Sequence, residues 1–195
     1  MPSFPMTPEY ATLDDETDVS SVFSKSINNV YQERLLGGHS LVLTLNYPPL
    51  KPANLRILHS FVKQRHADKA TFTIVPTQFS YLYSDCSGTL SVNAPAAVGA
   101  LSVSVEGISG TLKDGEYFTF SNQEKVYMST VDVTGSGQLS FIPGLRVAVT
   151  SLHTINYQNI AVKMRMDPNQ SAPRRNKRPG NIHTLTAIKL VEAVQ

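Results

Sequence analysis

The 195-residue chain reads as a mainly β protein with one short helix, built as a discontinuous β domain carrying an inserted small antiparallel β-barrel or sandwich. Three observations predict this. An alternating strand, SLVLTLNY from Ser40, is followed by a Pro-bounded connector, a helical stretch and a second alternating run, ATFTIV. Between Gln78 and Ile160 helical periodicity is nearly absent and short alternating runs are separated by turn residues, the texture of a compact antiparallel barrel or sandwich. After Ile160 longer alternating runs return, so the first domain is expected to close there.

Taken in order, residues 1–20 read as an extended N-terminal arm, with prolines at 2, 5 and 8 and a DDETD run. Such a stretch makes little core alone and is expected to lie along a partner surface or to fray. Val30 to Leu36 reads as a strand that turns at Gly37-Gly38 into the Ser40 strand, where Leu41, Leu43, Leu45 and Tyr47 share one face at the period of two. Pro48, Pro49 and Pro52 end that strand, because each removes a ladder donor, and Pro52 suits the first turn of a helix. Within ANLRILHSFVKQRHAD, Leu55, Leu58, Phe61 and Val62 fall at i, i+3, i+6 and i+7, one apolar stripe.

The insert is expected over residues 87–160, with Leu101, Val103 and Val105 alternating in LSVSVEG, a Lys-Asp-Gly turn at 113–115 and Ser-Asn-Gln-Glu between two strands. Ile160, Val162, Met164 and Met166 then share a face, the polar loop PNQSAPRRNKRPGN follows, and IHTLTAIKLVEAVQ reads as a further strand. Two strands around a polar loop should pair back onto the first sheet. The discontinuous domain is therefore placed at residues 21–86 plus 161–195.

Composition bounds the chemistry. The charged fraction is 16%, below the usual quarter, and the net charge of +2 gives no general argument for nucleic acid. Charge is distributed unevenly, however. Residues 1–20 hold Glu9, Asp14, Asp15, Glu16 and Asp18 with no Lys or Arg, whereas Arg174, Arg175, Lys177 and Arg178 fall within five positions. The single cysteine, Cys86, cannot form an intrachain disulfide and reads as a small buried hydrophobe. Neither a secretory leader nor an apolar run of membrane-spanning length is present in the sequence, so folding in a cytoplasm without membrane contact is expected.

No catalytic, cofactor or metal motif emerges, and no enzymatic role is expected. The histidines at 39, 59, 66, 153 and 183 lack ligand spacing and read as surface or capping residues. Asp14, Asp15, Glu16 and Asp18 sit in a segment that could not fix an acid–base separation, and Asp114 is a turn residue. The basic run at 174–178 has no interleaved aromatics for base stacking and reads as a solvated loop. Its opposite charge to the N-terminal segment suggests pairing with that segment of a neighbouring subunit. Tyr81, Tyr83, Tyr117, Tyr127 and Tyr157 alternate with hydrophobic residues and read as core or core-edge residues rather than sugar-stacking platforms.

The order of parts, VYQERLLGG, HSLVLTLNYPPL, PANLRILHSFVKQR and ATFTIV, resembles the belt domain of distal tail proteins and lambda-type minor tail proteins of long-tailed bacteriophages. The insert, through GTLKDGEYFTF, KVYMSTVDV and GSGQLSFIPGLR, is similar to one in phage and prophage tail proteins, and KLVEAV is a belt-like ending. The resemblance implies a virion protein, assembled in the host cytoplasm, that forms a six-fold homo-oligomeric ring at the tail tip. Its implied partners are further copies of itself, the tail tube protein and the hub or fibre proteins. Subunit contacts would then fall on the N-terminal arm and on Val30, Tyr31, Leu35, Leu36, Leu41 and Leu43, with Arg174, Arg175, Lys177 and Arg178 as a charged contact loop. Alternatives are a carbohydrate- or receptor-binding module of the tail and a head–tail connector or completion ring.

Overall fold

The computed structural model describes residues 1–195 except 7–8, 80–84, 172, 181 and 194–195; the side chains of residues 20, 21, 23, 35–38 and 178 also lie outside the description. The chain divides into two compact units, Met1–Thr73 with Met164–Ala193, and Ile74–Lys163. Mainly β structure with a single helix is the observed class, and one of its sheets is a closed six-stranded antiparallel barrel.

The first unit is organised by a five-stranded sheet. Its strands are β1 (Thr12–Lys25), β2 (Tyr31–Asn46), β3 (Phe72–Ile74), β12 (Val162–Met166) and β15 (Ile188–Glu192), in the order β1-β2-β15-β12-β3. On one face of the sheet Leu41, Leu43 and Leu45 of β2 are buried, and α1 (Pro52–Asp68) buries its apolar stripe, with Leu55, Leu58 and Val62 fully inaccessible. Pro52 occupies the first turn of α1, where its missing N–H is harmless, and Lys69 closes the helix in a left-handed conformation. Phe61 completes a small aromatic group with Phe4 and Phe72, at ring-centroid distances of 5.3 to 5.6 Å.

The N-terminal segment is not a free arm. Phe4 is buried and donates its N–H to the Thr73 carbonyl at 2.7 Å, and Thr12 onward forms β1, paired with β2 on both sides of one register slip. The reading of Gly37-Gly38 as a turn is also corrected. β2 runs straight through the pair, and the reversal lies at 26–30, where Asn29 takes a left-handed φ of 58° and the Ser26 N–H donates to the Val30 carbonyl. The glycines instead sit where the register slips: Val19 faces His39 but Ser21 faces Leu35, so residues 36–38 oppose Ser20 alone as a bulge.

The basic segment is corrected too. It forms β13 (Arg175–Arg178), an antiparallel hairpin with β14 (Ile182–Leu185), and Gly180 supplies a left-handed residue in the turn. The single strand expected from Ile182 is therefore two, β14 and β15. β14 also bridges Leu50 through His183, which places the hairpin beside the N-terminal end of α1.

The second unit holds β4 (Leu90–Val92), β5 (Ser102–Glu106), β6 (Thr111–Leu112), β7 (Tyr117–Phe120), β8 (Val126–Ser129), β9 (Val133–Thr134), β10 (Gly137–Ile142) and β11 (Thr154–Asn156). Six of them close in the order β10-β5-β4-β11-β7-β8, with β6 and β9 as a separate pair. The interior is aromatic. Phe118, Phe120, Tyr127 and Phe141 are all but inaccessible, and every pair of their rings lies 5.3 to 5.9 Å apart. Tyr127 also satisfies its hydroxyl, donating to Gln123 Oε1 at 2.7 Å and accepting the Arg146 N–H at 3.1 Å. Residues 74–79 and 85–86, which the sequence reading assigned to the discontinuous domain, group with the barrel. Phe79 stacks on Tyr117 at 4.2 Å, and the Asp85 carboxylate accepts the Thr111 N–H.

Candidate assembly surface

Pairing of β15 with β2 runs from Ile188 to Val191 and stops opposite Val42. The next rung is taken by a side chain: the Glu192 carboxylate accepts the Leu41 N–H at 3.0 Å. Beyond it, β1 and β2 continue as a two-stranded ribbon over residues 19–25 and 31–39, roughly 25 Å at ~3.3 Å per residue. Among the described residues no further strand pairs with either of its outer edges.

The ribbon exposes large apolar side chains among its polar ones. Val22, Ile27, Val30 and Tyr31 are exposed at 49%, 102%, 56% and 69%. The Tyr31 ring meets the Lys25 ammonium 5.1 Å from its centroid. Solvated apolar side chains clustered on an isolated hairpin mark a contact surface more often than a finished monomer surface.

Of the residues expected at a subunit contact, Val30 and Tyr31 fall on this tip. The side chains of Leu35 and Leu36 lie outside the description. Leu41 and Leu43 do not belong to any surface: β2 is an interior strand there and both side chains are buried, so the expectation is corrected. The sequence reading missed Val22 and Ile27, although Asn28-Asn29 beside Ile27 was a turn signal.

A second feature lies on the sheet face that carries Val42. Glu16, Val42, Val191 and Arg165 form one row across four strands, with the carboxylate and the guanidinium at its ends. These residues line a polar concavity of about 440 Å³ together with Asp18, Asp167 and Lys189, and Lys189 lies 3.9 Å from Asp167.

Arg174 precedes β13, and Arg175 and Lys177 are exposed within it; the Arg178 side chain lies outside the description. Burial, then the charges of Arg175 and Lys63, lower the pKa of His59 on α1. Among the described residues no group of three or more His, Cys, Asp or Glu side chains could hold a metal ion, and no helix is long and apolar enough to cross a membrane.

In the barrel, Tyr127 and Tyr157 are buried and Tyr117 is half-buried under Phe79, while Tyr81 and Tyr83 lie outside the described residues. Cys86 is buried. No protein-family model matches the chain, and no curated protein matches it in sequence.

Proposed function

We propose that the protein is a structural subunit of a homo-oligomeric ring of the kind found at the tip of a long bacteriophage tail, joining the tail tube to the hub or fibre apparatus. The ribbon of residues 19–39 carries this reading, because it extends past the last rung of its sheet and exposes Val22, Ile27, Val30 and Tyr31. A ribbon on one side of a subunit that docks on a different surface of the next makes a heterologous contact, and such contacts close into rings when the rotation allows. The resemblance of the Ser40–Val75 elements to tail belt domains gives the ring its place. The buried tyrosines of the barrel leave little for sugar stacking among the described residues, so the assembly reading is preferred to a glycan-binding one.

The test is the solution mass of the purified protein, followed by negative-stain imaging with phage tails. A closed ring that decorates tail tips is expected. A monomer at high concentration, or a ring that binds head portals instead, contradicts the reading.

A further inference from the structure

Two strand edges in the first unit are open, and they carry opposite charge. β1 is the outermost strand of the five-stranded sheet and displays Asp14, Asp15, Glu16 and Asp18, all exposed. β13 forms one side of a two-stranded hairpin and displays Arg175 and Lys177, with Arg174 just before it, all exposed. Among the described residues nothing pairs with the outer side of either strand. The Glu16, Asp18, Arg174, Arg175 and Lys177 side chains form no ion pair among the described residues.

We propose that β13 of one copy adds as an extra strand to the outer edge of β1 of the next copy, acid against base. The occupant is a second copy of this chain, so the inference rests on the ring reading and deepens it. An open edge leaves alternate N–H and C=O groups unpaired and is a template for strand addition. Charge then decides which edge meets which. Two β1 edges repel, two β13 edges repel, and only the unlike pair attracts, which excludes like-with-like pairing of either edge and favours a head-to-tail contact.

The spacing fits. Residues 14, 16 and 18 share one face of β1, as 175 and 177 share one face of β13, both at the two-residue repeat of ~6.6 Å. Strand addition places such side chains opposite one another at the ~5 Å of a cross-strand pair. Asp15 and Arg174 occupy the other face in the same relation.

The experiment uses the full chain in two charge-reversed forms. One carries Asp14→Lys, Glu16→Lys and Asp18→Lys; the other carries Arg174→Glu, Arg175→Glu and Lys177→Glu. Sedimentation is measured at about 50 mM and 0.5 M salt, where screening lengths differ severalfold. Each variant alone should raise the dissociation constant about tenfold or more at low salt. Mixing the two in equal amounts should restore assembly, because each then offers the edge the other lacks. The milder set Asp14→Asn, Glu16→Gln and Asp18→Asn should weaken association less and flatten its salt dependence, and it keeps the test open if a reversal fails to fold.

Rings that persist in both single variants overturn this contact while leaving the ring reading in place. So does failure of the mixture to recover. A wild-type chain that stays monomeric at low salt overturns both.

Discussion

The barrel and the sheet unit use the same kind of element to opposite ends. In the barrel six short strands close on themselves, so every edge finds a neighbour and four aromatic rings fill the centre. In the sheet unit an edge strand of 14 residues stays open and a hairpin continues past the point where the sheet can support it. Closure removes the hazard of an unpaired edge; an open edge must be guarded or used. β1 is guarded by acid side chains, yet the ribbon tip beyond them exposes Ile27, Val30 and Tyr31. On the proposed reading, the open unit is the one that meets a neighbour.

The largest expected effect lies in the barrel. Phe118→Ala empties the centre of a four-ring cluster and should cost about 3–5 kcal/mol in chemical denaturation. Assembly of the residual folded protein at low temperature should be nearly unchanged. If Phe118→Ala cost less than about 1 kcal/mol, the barrel would not be the self-sufficient half of the comparison.

Next comes a backbone test. Gly107 has a φ of 92°, and a Cβ there would lie 2.5 Å from the Thr89 carbonyl oxygen. Gly107→Ala should therefore destabilise the barrel by roughly 1–3 kcal/mol, read as an earlier denaturation midpoint. The same change at Gly115, also at positive φ but with nothing near, should cost less.

The ribbon should behave in the reverse way. Replacing Val22, Ile27, Val30 and Tyr31 together by Ser touches only exposed side chains and should move monomer stability by no more than about 0.5 kcal/mol per site. Sedimentation should nonetheless show loss of the oligomer. Unchanged assembly would remove the ribbon from the account.

The smallest effect concerns His59. Burial, then Arg175 and Lys63, lower its pKa in the folded chain, so the fold favours the neutral ring. That preference contributes stability fully above the unfolded value of ~6.5, and it is lost as pH falls below it. Arg175→Ser should raise the His59 pKa by removing one cause, measurable as a shift of its ring proton titration in NMR. No movement would mean that the β13 hairpin does not lie against α1 in solution.

Much of this architecture was legible because its signals are local. The α1 stripe, the Pro52 start and the β12 alternation each bury one face, and the glycine-separated strands of the barrel repeat the pattern at short range. The return of β12 and β15 to the β2 sheet followed from the same alternation. Three features were not legible. β1 carries four acids of strand-poor type in its first half only as an edge, where one ladder with β2 is enough and no apolar face is required. Gly37-Gly38 looked like a turn because two glycines serve a bulge as well as they serve a reversal. The β13 run looked like a solvated loop because clustered like charges rarely enter a sheet, and it is the two-stranded, outward position that permits it.

The candidate site divides along the same line. Val30 and Tyr31 were expected at a contact as the start of the Val30–Leu36 strand, on the family resemblance, and they are exposed. Leu41 and Leu43 gave the same apolar signal, but an interior strand buries them, and strand order is not written in a single strand's pattern. Leu101, read with Val103 and Val105 as one face, is exposed because the strand begins only at Ser102.

Amide hydrogen exchange, compared between concentrated and dilute protein at low salt, tests the contrast most directly. Protection that grows with concentration over residues 12–39 and 174–178, while the barrel strands from Leu90 to Asn156 stay constant, is the predicted result. Added protection confined to the barrel, or none anywhere, would contradict it.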